Sequence, residues 1–215
     1  AGRICRRMNQ MVDVIKAGRS QAEDANVRMA IGNIAGDMQA WELVSVSKAA
    51  GENFVGATID PGNAAWTLED PMVNLDNLGP YVVTTGIRDT AVWETENGAK
   101  CMWTNMGCGN TDWPAYTARF QELCPTVPFV LEIISYKWAN EAKYLQTDFW
   151  SNFPRARANE FARFVALAKR GKEYELPVGR PAGSSSEKLE QAQQKFDLEQ
   201  SLKYCRESLG LGLKT

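Results

Sequence analysis

Apolar residues first recur at helical spacing. Ile4, Met8, Met11, Val12 and Ile15, separated by arginine and lysine, predict an amphipathic helix over 3–24. Residues 27–31 (VRMAI) then read as a short strand ending at Gly32-Asn33. Asp37 is placed to cap a helix over 38–50 that stops at Gly51. Residues 53–60 (NFVGATID) give a second strand, closed by Pro61-Gly62, and Asp70-Pro71 opens a short helix with proline in its first turn. Residues 81–87 (YVVTTGI) predict a third strand, and 89–110 read as a long loop carrying tryptophan. Asp112 caps a helix reaching Cys124, 127–134 (VPFVLEII) predict a fourth strand, and helix returns over 147–170 until Gly171.

Strands alternating with helices in this way predict a parallel sheet with right-handed crossovers. Both faces of such a sheet are covered, which explains the near-continuous apolar runs. An open doubly wound sheet and part of a (βα)8 barrel both fit. Two features favour the barrel. No glycine-rich phosphate loop follows any strand, and the strands end in Asn33, Asp60, Arg88-Asp89 and Glu132. Barrels collect their site residues at that end. The expected fold class is therefore α/β of TIM-barrel type. A whole barrel takes about 250 residues and eight strands. Four βα units leave two edges and one apolar face open, a costly arrangement. The chain is thus expected to lack an N-terminal half or to form a homo-oligomer that closes the sheet.

Residues 1–171 are read as the partial barrel domain. Residues 172–186, with Pro177, Gly179, Pro181, Gly183 and three serines, form a linker. Ser184 and Glu187 have capping-box spacing, and 187–215 form a C-terminal helix and tail. Leu189, Ala192, Phe196, Leu202, Cys205 and Leu209 give that helix one apolar stripe, suited to its own barrel or to a second subunit.

Composition narrows the chemistry. Among 215 residues, 24 Lys+Arg oppose 26 Asp+Glu, which lacks the basic footprint of a nucleic-acid binder. The chain has no histidine, which removes Ser-His-Asp and Cys-His catalysis and imidazole metal ligands. The most apolar run, 127–134, is too short to span a bilayer and contains Glu132, so no membrane partner is expected. Five cysteines without CxxC spacing suggest a reducing, cytoplasmic setting.

Asp60 and Glu132 each end an apolar strand, where a charge is expensive unless a cation or solvent meets it. Two such carboxylates suit a divalent cation, or acid–base work if burial raises one pKa. Arg88 can grip a carboxylate, phosphate or polyol oxygen, or form a strut with Asp89. Trp66, Trp93, Trp103 and Trp113 could stack on sugar faces or simply pack. Asn33 and Asn63 are suited to hydroxyl recognition.

Five stretches together carry a family resemblance: residues 30–39 (AIGNIAGDMQ), 55–63 (VGATIDPGN), 85–89 (TGIRD), 106–113 (MGCGNTDW) and 131–134 (LEII). In this order the chain resembles the C-terminal half of the sugar phosphate isomerase/epimerase family, which has a xylose-isomerase-like TIM barrel. The resemblance implies the last four βα units plus a C-terminal extension. It also implies a divalent-metal site, Mn²⁺ or Mg²⁺, built from Glu, Asp, His and Glu. Asp60 matches the Asp ligand and Glu132 the last Glu, which also moves a proton. Gly32 and Gly86 stand at the first Glu and the His positions, so the metal site is expected in degraded form.

The leading expectation is a sugar or sugar-derivative isomerase/epimerase-like protein with a divalent metal at the barrel mouth. Asp60 and Glu132 would hold the metal. Asn33, Asn63, Trp66, Arg88 and Asp89 would hold a small polyhydroxylated substrate. The alternative is a non-catalytic binding or assembly subunit that pairs through the open half-barrel edge.

Overall fold

Three parallel strands form the base on which the site is built. The computed structural model describes residues 3–134, 139–175 and 186–212. Helices α1 (Arg3–Ala17) and α2 (Arg19–Asp24) lead into β1 (Met29–Gly32). The predicted 3–24 helix is thus two, parted at Gly18. Helix α3 (Ala40–Ala50), β2 (Val55–Ile59), the single turn α4 (Pro61–Ala64), α5 (Pro71–Leu78) and β3 (Val82–Thr85) follow. The sheet order is β1-β2-β3, parallel throughout.

Residues 130–132 extend this sheet beside β3. The Ile87 N–H donates to the Val130 carbonyl at 2.7 Å, and the Glu132 N–H donates to the Ile87 carbonyl at 2.9 Å. The predicted 127–134 strand shrinks to this contact because Pro128 has no N–H to contribute. Thr85 compensates with its side chain. Its hydroxyl donates to the Pro128 carbonyl and accepts the Val130 N–H, both at 2.8 Å.

One face of the sheet is packed by α3, α5 and α6 (Trp113–Leu123). Leu43, Ile59, Leu75, Leu78, Ile87 and Tyr116 form its core. Helix α1 adds a smaller cluster in which Ile15 meets Val46, Ala50 and Phe54. Side chains alternate across a strand. Leu131 packs toward the helix-covered core, so Val130 and Glu132 face the other way, and Val130 is 47% exposed.

The predicted loop over 89–110 is instead an antiparallel hairpin, β4 (Asp89–Thr95) and β5 (Gly98–Thr104), joined by β6 (Asn140–Ala142). Its apolar–polar alternation around Asn97-Gly98 is a hairpin signature. Val92, Ala99 and Cys101 pack against Phe164 and Leu167 of α7 (Ala158–Arg170) in a second core. The predicted 147–170 helix begins only at Ala158, after a 3-10 turn (Thr147–Asn152), because Pro154 intervenes. Helix α8 (Ser186–Glu207) donates Cys205 to the main core, with Tyr204, Leu209 and Leu211 packed beside it. The Ser184 capping box and most of the expected linker, 176–185, lie outside the described residues.

Together these elements make a mixed α/β fold with a parallel sheet, and the described residues close no barrel. Among them no helix is long and apolar enough to cross a membrane.

Candidate functional site at the strand ends

The C-terminal ends of β1 and β2 are held together by side-chain amides. Asn33 lies just past β1. Its Nδ2 donates to the Asp60 carbonyl and its Oδ1 accepts the Asp60 N–H, both at 2.7 Å. Asn63 Nδ2 donates to the Asn33 carbonyl at 2.9 Å. Asp60 caps α4, its Oδ1 accepting the Gly62 N–H at 2.9 Å. That leaves Asp60 Oδ2 pointing away from the cap, and Arg88 meets it.

Arg88 Nε lies 2.7 Å from Asp60 Oδ2, and Arg88 Nη2 lies 2.6 Å from Glu132 Oε1. The Arg88 side chain is 4% exposed and that of Asp60 5%, whereas that of Glu132 is 49% exposed. Two glycines make room for this line of charges. A Cβ on Gly62 would lie 2.2 Å from Arg88 Cγ, and one on Gly86 would lie 2.3 Å from Glu132 Oε2. Trp103 of β5 covers the guanidinium, whose Cζ lies 4.6 Å from the ring centroid. Trp66 stacks on Trp103 with centroids 4.7 Å apart.

Burial raises the Asp60 carboxyl to about 7, against the attraction of Arg88, with the Glu132 charge adding to the rise. Several buried polar atoms here have neither a hydrogen bond nor an ion pair: Arg88 Nη1 and the Trp66 and Trp103 indole N–H groups have no acceptor, and Asn63 Oδ1 has no donor. Buried groups of this kind are expensive unless something fills them.

Behind the triad runs a buried polar chain that sequence reading missed. Both Glu69 carboxylate oxygens accept the Ala40 N–H at the start of α3, at 2.9 and 3.1 Å. Thr67 Oγ1 and Asn74 Nδ2 also donate to Glu69 Oε2. Asn33 Nδ2 reaches Asn74 Oδ1 at 3.5 Å. Burial raises the Glu69 carboxyl to about 8. A carboxylate at a helix N-terminus gains from the exposed N–H groups. The predicted cap, Asp37, does not cap α3. Gln39 does so in a capping box with Glu42, while Asp37 pairs with Arg7 at 3.1 Å.

A cavity of about 350 Å³ lies beside Trp66, which forms one wall. Phe149 and Phe153 add aromatic surface, and Asp37, Asn140 and Glu141 add polar groups. The Trp66 indole N–H is buried without an acceptor.

Of the residues that the sequence suggested, the structure brings Asp60, Arg88 and Glu132 into contact, while Trp66 packs on Trp103 and lines the cavity, which none of the three charged residues lines. Asn33 and Asp89, expected to hold substrate, make hydrogen bonds within the fold. Asn33 spends its amide on the backbone of Asp60. Asp89 is fully buried, and its Oδ2 accepts the Gly107 N–H at 3.0 Å, the Gly109 N–H at 2.9 Å and Trp113 Nε1 at 2.8 Å. Glu69, Asn74, Phe149 and Phe153 carried no sequence signal, because only the fold brings them near. Trp103 did carry one, the alternating hairpin.

The residues present do not fit the divalent cation that the resemblance implied. Such a cation takes about six oxygen ligands, and even where waters supply most of them it is held by one or two free carboxylates. Here the two matching carboxylates are already bridged by Arg88, and Gly32 and Gly86 offer no side-chain ligand. Among the described residues no group of three or more His, Cys, Asp or Glu side chains is arranged to hold a metal.

No family model and no curated protein matches this sequence. Among solved structures, the chain is similar to a xylose isomerase domain protein from Planctomyces limnophilus, at 17% identity and a TM-score of 0.50. The match covers 58% of this chain and 46% of that one, so the chain spans less than half of that neighbour's length. The likeness is one of fold alone, between that neighbour and a mixed α/β chain with a parallel sheet.

Proposed function

We propose that the chain carries the strand-end site of a sugar isomerase/epimerase-like protein. The site takes a small polyhydroxylated molecule, and the Asp60–Arg88–Glu132 line does the polar work without a metal. The supporting observation is that this line is roofed by Trp103, that Trp66 packs on Trp103, and that Trp66 in turn lines a cavity with aromatic and polar walls. Aromatic faces suit the C–H faces of a sugar, while amides and carboxylates suit its hydroxyls. The xylose-isomerase-like fold of the neighbour supports the reaction class.

Glu132 is the exposed member of the line and so the group able to meet a substrate C–H. Aldose–ketose isomerisation through an enediol needs one base on one face of the sugar. The base takes the proton from the carbon beside the carbonyl and returns it to the former carbonyl carbon, while the hydroxyl proton of the first carbon passes through solvent to the former carbonyl oxygen. Arg88 would stabilise the negative charge that develops on oxygen, as a preorganised donor does. Epimerisation by two opposed bases has no second base here, because Asp60 is buried behind Arg88.

Deuterium wash-in from solvent tests this reading. Sugars, sugar acids and cyclic polyols are incubated with the protein in D₂O and followed by NMR. The expected result is exchange at one carbon beside a carbonyl, lost in Glu132→Gln while binding persists. Binding without exchange in the wild type would reduce the site to a binding site. No binding to any of the panel would overturn the reading.

A second reading draws on the sheet itself. Val130, Ile134 and Ile34 are 47, 44 and 59% exposed, close to the open edge strands. Under this reading a second copy, or a missing half of the same protein, covers them.

A further inference from the structure

We propose that Arg88 is the resident cation of this site, its guanidinium holding the place between Asp60 and Glu132 that a divalent metal would otherwise take. This concerns the cation alone and stands whichever ligand the neighbouring cavity accepts. Three observations carry it. The guanidinium touches one oxygen of each carboxylate, at 2.7 and 2.6 Å, so it bridges them as a metal would. It is 4% exposed and fixed from above by the Trp103 ring, so it is a built part of the site and not a surface arginine swinging in. Its Nη1 is buried with no acceptor, so the bridging cation keeps an unused donor at the place where a metal would keep an exchangeable ligand.

The chemistry of the two cations differs in ways that matter. A guanidinium has a fixed planar fork, stays charged at any accessible pH and cannot dissociate. It binds oxygen by donating hydrogen bonds and does not lower the pKa of a bound water as a metal does. A site built on it is indifferent to chelators and to metal supply. The glycines complete the picture. Gly62 admits the arginine stem within 2.2 Å of where a Cβ would lie, and Gly86 lets the Glu132 carboxylate fold back along the strand toward Arg88.

The test is Mn²⁺ binding, read by the loss of the free-ion electron paramagnetic resonance signal on titration with the purified chain. The wild type should leave the Mn²⁺ signal unchanged. Arg88→Ala vacates the position and should bind one Mn²⁺ at least tenfold more tightly than the wild type. Adding Glu132→Gln should abolish that gain. Methylguanidinium, which refills the vacancy, should compete with Mn²⁺ in Arg88→Ala. If Arg88→Ala does not fold, Arg88→Gln keeps the stem against Trp103 and carries the same measurement. One Mn²⁺ bound by the wild type and lost in Asp60→Asn would overturn the proposal. So would a folded Arg88 variant that binds Mn²⁺ no better than the wild type.

Discussion

Asp60 and Arg88 form an ion pair at 2.7 Å with about one-twentieth of either side chain exposed. Both side chains have left water, so the Asp60 charge depends on Arg88, whereas Arg88 also has Glu132 at 2.6 Å. Removing one partner of such a pair costs about 3–5 kcal/mol, because the remaining charge stays buried and unpaired. Arg88→Met should therefore lower unfolding stability in urea by about that amount. Arg88→Met/Asp60→Leu, which removes both charges, should recover most of the loss. A double variant no more stable than the single would show that the pair is not what balances Asp60.

Stability should fall as pH rises through neutrality. Burial raises the carboxyl of Asp60 from 3.8 to about 7 and that of Glu69 from 4.5 to about 8. The folded state then binds more protons than the unfolded chain between those values, so the stabilisation is complete at the acid end and lost as pH passes through 7 and 8. A melting temperature measured from pH 5 to pH 8.5 should decline. Glu69→Gln keeps an acceptor for the Ala40 N–H and should flatten the decline. An unchanged slope in that variant would show that Glu69 does not titrate in this range.

Asp89 offers a contrast, being a buried carboxylate that builds the fold and meets no ligand. One of its oxygens takes three N–H donors, two from the 107–109 turn and one from Trp113. Asp89→Asn halves its acceptor capacity and should cost about 2–3 kcal/mol in urea unfolding, while leaving ligand affinity in the folded fraction unchanged. A specific loss of affinity would return Asp89 to the site.

The aromatic wall can be separated from the charges. Trp66→Leu leaves Asp60, Arg88 and Glu132 in place but removes the ring that packs on Trp103 and lines the cavity. Calorimetry should show sugar affinity reduced by about tenfold, the worth of one stacking contact of roughly 1–1.5 kcal/mol. Unaltered affinity would move the ligand away from this cavity.

The open side of the sheet predicts association. Val130 and Ile134 should be covered if a second copy closes the sheet. Light scattering would then show the wild type as a dimer or larger, and Val130→Lys/Ile134→Lys as a monomer of unchanged circular dichroism. A monomeric wild type would remove the self-association reading.

Much of the fold was legible because it rests on local chemistry. The apolar runs at 27–31, 53–60 and 81–87 have no alternative use in a chain of this composition. Asp70-Pro71 and Asp112 cap their helices as read, since a cap is a contact between residues two or three apart. The 89–110 hairpin was legible in principle, through its alternation around Asn97-Gly98, but Trp93 and Trp103 within its strands suggest a ligand-binding loop equally well. The 127–134 strand was over-read. Pro128 breaks its ladder, and only the distant hydroxyl of Thr85 repairs the pairing.

The sequence by itself placed Asp60, Arg88 and Glu132 as charges beside apolar strand-like runs, since that pattern is local. It also determined that histidine chemistry is absent. Only the tertiary structure decided what those charges do. A carboxylate at a strand end can meet a metal, a solvent or an arginine at equal local cost. Which one it meets depends on groups dozens of residues away being brought within 3 Å. The parallel sheet places Arg88 between Asp60 and Glu132, and the β5 hairpin lays Trp103 over it. The same distance effect turned Asn33 and Asp89 inward, because the backbone N–H and C=O groups the fold leaves beside them must be paired where water cannot reach.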